Sequence, residues 1–131
     1  MIFVPSSFNW TEYNPHKEGL QTVLSPLEAE IILILWREKR ATNRTVQTLL
    51  KSKTKSKRST VNAAMKSMCE RGLLSSSISK GKGGLKYVYT IKISRSKFEK
   101  DVVGKVLDSL LKSYGRTAKK LLRQKARESK S

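Results

Sequence analysis

The side chains equipped for chemistry in this chain are hydroxyls, amides and cations rather than acids, thiols or imidazoles. Between positions 56 and 66, Ser56, Lys57, Arg58, Ser59, Thr60, Asn62, Ala63 and Lys66 mix hydrogen-bonding groups with positive charge. At 100° per residue, Val61, Ala64, Met65 and Met68 share one face of a helix, and Ser59, Asn62, Ala63 and Lys66 share the opposite one. That second face suits base edges in a major groove. Asn62 offers an amide donor and acceptor together, the pair that matches adenine. Ser59 can bond to several bases, and Ala63 presents a methyl for thymine. Lys57, Arg58 and Lys66 have the reach and charge for phosphates. Lys80, Lys82 and Lys86 form a second cationic group around the loop Gly81-Lys82-Gly83-Gly84.

The rest of the composition removes competing chemistries. There is one cysteine, Cys69, and one histidine, His16, so neither an internal disulfide nor a zinc site can be built from them. Cys69 is expected to be a packed, unreactive thiol, and His16 an exposed loop residue. No glycine-rich phosphate loop, Cys–His pair or Ser–His–Asp set is present, and the ten carboxylates show no evident pairing. The expectation is a protein that is not an enzyme and takes no cofactor and no metal. No run of eighteen apolar residues predicts a membrane span, and the N-terminus does not read as a secretory signal. These features predict a reduced, cytoplasmic, nucleoid-associated protein with no membrane partner.

Charge points to the partner. Lys and Arg number 28 against 10 Asp and Glu, a net +18. Residues 1–36 hold one Lys and four Glu, net −3, whereas residues 37–66 hold ten basic residues and one acidic, net +9. Residues 67–111 are net +5, with nine basic and four acidic, and residues 112–131 net +7, with eight basic and one acidic. Blocks of this kind point to a polyanion, and nucleic acid fits best.

Elements that position these groups can be read from caps and periodicity. Residues 1–22 have no regular period; they predict a flexible arm, or else a strap whose aromatics Phe3, Phe8, Trp10 and Tyr13 pack on the domain or a partner. Ser25, Pro26 and Glu28 form a capping-box signature that opens a buried helix over 27–37. Thr42 caps a short helix over 43–50. Ser56 is a plausible cap for a third helix that ends at Arg71, before Gly72. Strands follow over 73–80 and 85–93. In the second, Leu85, Tyr87, Tyr89, Ile91 and Ile93 alternate with Lys86, Val88, Thr90 and Lys92, which predicts a hairpin with one buried face. Ser96 and Glu99 suggest another capping box, opening a helix from Lys97 to about Tyr114, with Gly115 as its stop and a basic amphipathic segment beyond. Its apolar positions, Phe98, Val102, Val103, Val106, Leu107, Leu110 and Leu111, form a stripe wide enough to need a partner.

Three helices followed by a hairpin is the order of a winged helix-turn-helix, an α+β, mostly α fold whose third helix enters the major groove. The predicted organisation is a flexible N-terminal arm at 1–23, the DNA-binding domain at 24–94, helices for dimerisation at 95–123 and a basic tail at 124–131.

Several segments resemble the penicillinase-repressor family of winged-helix regulators. Leu24-Ser25-Pro26-Leu27-Glu28-Ala29-Glu30 with Leu35-Trp36 is similar to the family's opening. Ser59-Thr60-Val61-Asn62-Ala63-Ala64-Met65 stands at its recognition segment, Arg71-Gly72-Leu73-Leu74 at its exit from that helix, and Gly84-Leu85-Lys86-Tyr87-Val88-Tyr89 at its wing. The resemblance covers about residues 24–111, leaving the arm and the basic tail outside. It implies a homodimeric repressor on pseudo-palindromic duplex DNA, dimerised through its C-terminal helices and, in some relatives, released by a signal-dependent protease. The C-terminal cysteines of the copper-responsive branch are absent here, so release by metal is not carried over. Ala63 and Asn62 depart from the residues usual in the family, so neither is the operator sequence. The alternative function is a sequence-neutral architectural protein that coats the chromosome.

Overall fold

The computed structural model describes residues 8–10, 12–81 and 83–129. They form an α+β, mostly helical molecule in two compact units, divided between Arg95 and Ser96. In the first unit, helix α1 (Pro26–Glu38) is followed by strand β1 (Arg40–Thr42), helix α2 (Asn43–Leu50), helix α3 (Arg58–Glu70) and the hairpin of β2 (Leu74–Gly81) and β3 (Gly84–Ile91). The second unit consists of helix α4 (Arg95–Glu128) from Ser96 onwards.

Helix α1 begins where its cap dictates. Ser25 Oγ accepts the Glu28 N–H (3.2 Å), and the Ser25 N–H donates to Glu28 Oε1 (2.9 Å), so two otherwise orphaned donors are satisfied reciprocally. Ile31, Ile32 and Leu35 have no exposed surface, which makes α1 the centre of the core. It is closed by Met65 and Met68 of α3, Val46 of α2, and Leu73 and Leu74, all nearly or wholly buried. Glu28 has a second role: its carboxylate pairs with the Arg71 guanidinium just past α3, and the two side chains are 16% and 10% exposed. At the far end of α1, Trp36 Nε1–H donates to the Ile93 carbonyl (2.8 Å), while the Arg95 guanidinium lies over the indole at 5.5 Å.

Thr42 caps α2 as expected, its Oγ1 accepting the Thr45 N–H at 3.2 Å. Ser56 does not cap α3. The helix starts at Arg58 with Lys57 as N-cap and no side-chain cap bond, because Ser56 is engaged in a local turn. Its N–H and hydroxyl both meet Thr54 Oγ1, at 2.9 and 2.7 Å.

The hairpin corrects a second expectation. Strand order is β1-β3-β2, with Thr42, Ala41 and Arg40 paired to Val88, Tyr89 and Thr90. Where β3 is paired on both edges, Val88 and Tyr89 are both buried although they point to opposite faces. Past Val88 the hairpin extends beyond the body, and Tyr87 (54%) and Leu85 (67%) are exposed along with their neighbour Ile78 (58%). The alternation in 85–93 therefore does not mark a single buried face.

Of the four aromatics in the N-terminal segment, Phe8 is buried, Trp10 half-buried and Tyr13 exposed, while Phe3 lies outside the described residues. Phe8 has no exposed surface and stacks obliquely on Trp10 at 5.7 Å, and the Asn9 N–H donates to the Arg71 carbonyl (3.0 Å). A 3-10 turn, Gly19–Thr22, leads into Ser25.

Helix α4 starts at Arg95, which places Ser96 inside the first turn rather than at its cap. It continues through Gly115, with a kink at Tyr114 (φ −137°, ψ 41°), and reaches Glu128, so residues 124–128 belong to the helix. Among the apolar positions assigned to dimerisation, Phe98 is buried within the chain, whereas Val103 and Leu110 are exposed. Val102, Val106, Leu107 and Leu111 are half-buried.

Candidate nucleic-acid interface

Helix α3 is held by its apolar face, with Val61, Met65 and Met68 buried and Ala64 half-buried beside them. The opposite face is presented to solvent: Arg58, Ser59, Thr60, Ala63 and Lys66 are all exposed, as are Ser56 and Lys57 just before the helix. Thus a rigid helix carries small hydrogen-bonding and methyl groups in its outward centre, with cations around them, the arrangement that reads a major groove.

Asn62 is placed differently from its neighbours. It is half-buried at the edge of α3, where Oδ1 accepts hydrogen bonds from Asn43 Nδ2 (2.6 Å) and Gln47 Nε2 (3.0 Å) of α2. Gln47 Nε2 also donates to Asn43 Oδ1 at 2.7 Å, closing a triangle of amides between the two helices. A carbonyl oxygen has two lone pairs, and both are taken here. The donor–acceptor pairing with adenine expected of Asn62 would require giving up one of these two bonds; as placed, the residue ties α3 to α2. Asn43 and Gln47 carry no sequence signal that distinguishes them from surface amides, so this triangle could not be found from spacing alone.

A cleft of about 410 Å³ is lined by Arg44, Gln47, Thr48, Lys51, Thr54, Ser56 and Arg58, among others. Three cations and three hydroxyls around one cleft suit an anionic oxygen. Arg44 and Lys51 were visible in the sequence only as part of the charge of block 37–66.

In the wing, β2 and β3 pair from Leu74↔Ile91 to Gly81↔Gly84. The turn requires left-handed backbone at Gly83 and Gly84 (φ 97° and 104°), open to glycine without strain. Lys86 pairs with Ser79, and Lys80 with Leu85 at the adjacent register position, so the two lysines project from opposite faces. A thin hairpin with a cation on each face is suited to enter a groove edge-on, between two phosphate walls. Lys82 lies outside the described residues. Among the described residues, Lys57, Arg58, Lys66, Lys80 and Lys86 make no ion pair, so their charge is uncommitted.

Cys69 lies near the end of α3 with Ser76 of β2 against it. Burial pushes its thiol up from the ordinary value, outweighing the hydrogen bond from Ser76, and such a thiol has little reactive thiolate. Among the described residues no group of His, Cys, Asp and Glu is placed to hold a metal ion, and no helix is long and apolar enough to cross a membrane.

Three helices, the outward face of α3 and a β2–β3 wing define a winged helix-turn-helix protein. The family model of the penicillinase repressor matches residues 24–130, and the chain belongs to that family. The family is one of DNA-binding transcriptional repressors, not of enzymes. The match extends past residue 111 to include the distal half of α4, which the sequence motifs had left outside. No individually curated protein matches the chain significantly.

Proposed function

We propose that this protein is a dimeric, sequence-specific repressor acting on duplex DNA in the cytoplasm, with α3 in the major groove and the wing on the backbone or the minor groove. The observation that carries this reading is the outward face of α3, where Ser59, Ala63 and Lys66 are exposed on a buried, well-anchored helix among uncommitted cations. Ser59, Thr60 and Ala63 read bases; Lys57, Arg58, Lys66, Lys80 and Lys86 hold phosphates, joined by Arg44 and Lys51 from the cleft beside α2. The five cations of α3 and the wing, counted over both subunits, make about ten phosphate contacts and a log–log salt slope near −9, steeper where Arg44 and Lys51 also engage. A titration over a range of salt concentrations, on a duplex selected from a random pool and on its scrambled version, tests both parts. A slope shallower than about −3 would remove the electrostatic footprint. A steep slope with equal affinity for both duplexes would favour the architectural reading, for which the net +18 is the supporting observation.

The amide triangle gives a sharper expectation. Asn62→Ala removes the acceptor shared by Asn43 and Gln47, so α3 loses its fixed angle to α2, and binding to specific and scrambled duplexes should weaken together. Lys66→Ala should also weaken both, but by removing a charge, and the salt slope should flatten by about one for each subunit engaged, about two for the dimer. If Asn62→Ala instead relaxes preference at a single base position and leaves stability unchanged, Asn62 reads that base and the triangle opens on binding.

A further inference from the structure

The distal half of α4 carries a strongly basic surface that α3 and the wing do not account for. Beyond the kink at Tyr114, Arg116, Lys119, Lys120, Arg123 and Arg127 line one shallow surface together with Gln124. At 100° per residue these five cations fall in one stripe, and all are exposed. Among the described residues none of them forms an ion pair. A merely solvated helix face is normally laced with both signs, since like charges at i,i+4 weaken the helix. Here Arg116–Lys120, Lys119–Arg123 and Arg123–Arg127 are all such pairs, and residues 112–131 contain a single carboxylate, Glu128.

We infer that this stripe is a second surface for the phosphate backbone of duplex DNA, adding a sequence-independent hold to that of the winged unit. The inference rests on the proposed DNA-binding function and extends it to a different element. Charge complementarity selects the occupant. A second copy of this chain would bring the same positive stripe and be repelled. An anionic bilayer would need an insertable opposite face, but there Lys125 stands between Ala118, Leu121 and Leu122, and no aromatic residue follows Tyr114. Spacing also fits: Arg116, Lys120, Arg123 and Arg127 advance about 4.5–6 Å per step along the axis. Phosphates of one strand rise about 3.4 Å each, so successive cations can meet successive or alternate phosphates.

The test uses the full chain with Arg116→Gln, Lys120→Gln, Arg123→Gln and Arg127→Gln combined, glutamine being nearly as good a helix former as the residues replaced. On a duplex of a few dozen base pairs, the salt slope should flatten by about three to four for each chain engaged, equally for specific and scrambled sequences. The pair Arg116→Gln with Arg123→Gln should give half that change. Exchanging Arg and Lys at the same four positions should keep the wild-type slope, which separates lost charge from lost helix. An unchanged slope in the four-site variant overturns the inference, as does a variant whose only loss is binding to vesicles of anionic phospholipid. A parallel variant, Lys57→Gln with Arg58→Gln and Lys66→Gln, keeps the two levels distinct. If it loses binding while the stripe variant does not, the stripe is idle and the repressor reading stands. If the wild-type chain itself binds no duplex, both fail.

Discussion

Replacing Glu28 with alanine is expected to lower the unfolding free energy by about 3–5 kcal/mol, because one carboxylate serves two elements. Its Oε1 accepts the Ser25 N–H that starts α1, and its carboxylate pairs with Arg71 at the exit of α3, where the guanidinium is only 10% exposed. Without Glu28 that cation is left largely desolvated and unpaired, which costs more than the pair itself contributes. The two roles can be separated. Glu28→Gln keeps an oxygen for the Ser25 N–H but removes the charge, so it should retain the cap's share of about 1 kcal/mol and lose the rest. Adding Arg71→Met to Glu28→Ala should recover much of the loss, because no orphaned charge remains. Urea unfolding of the four proteins, followed by far-UV circular dichroism, gives the comparison. A loss below about 1 kcal/mol for Glu28→Ala would mean that Arg71 finds water or another acceptor. The consequence reaches function: Arg71 also takes the Asn9 N–H on its carbonyl, so α1, α3 and the N-terminal segment meet at this residue.

What could be read in advance depended on how local the cause is. The start of α1 and the whole of α2 were legible because Ser25 and Thr42 fix them within one turn of chain. The winged order was legible because it needs only the succession of elements. Ser56 looks like a cap by type, but Thr54, two residues away, competes for its N–H and hydroxyl, and the helix starts one residue later than a Ser56 cap would give. Strand β1 has three residues and exists only through pairing with Val88, Tyr89 and Thr90, nearly fifty positions on, so nothing in Arg40-Ala41-Thr42 announces it. The wing misled for a related reason. Period two in β3 shows a strand but not what covers it, and beyond Val88 the chain outruns the body, leaving Tyr87 and Leu85 in solvent. Asn62 was assigned from its position on a wheel, whereas its partners come from another helix; a wheel gives direction, and only the fold gives neighbours. In α4, Gly115 suggests the end of one helix before a basic amphipathic segment, and the backbone leaves helical geometry at Tyr114 before a second helical stretch carries that segment.

Changing Val103 and Leu110 together to aspartate is expected to divide the proposed dimer into folded monomers. The exposures make these positions better probes than the rest of the stripe. Val103 and Leu110 are 55% and 41% exposed in the single chain, so an aspartate at either stays in water and the fold is kept. The same change at Phe98, which is 3% exposed, would bury a charge inside the chain and unfold it. In a dimer closed by the α4 stripe, the double variant places four carboxylates in an interface without partners. Each such burial costs several kcal/mol, and 1.4 kcal/mol is tenfold in affinity, so the dimer constant should weaken by about a thousandfold or more. The effect on DNA then follows from avidity. A duplex with two half-sites should lose about 10²–10⁴ in affinity, while a duplex with one half-site should be held as tightly as before. Analytical ultracentrifugation and the two duplexes together distinguish the outcomes. Monomers with intact half-site binding place the interface on α4. Dimers that persist with both aspartates move it elsewhere, and the exposed wing face of Ile78, Leu85 and Tyr87 becomes the surface to test next. A wild-type chain that sediments as a monomer at micromolar concentration would remove the dimer from the proposed function and leave α4 only its basic stripe.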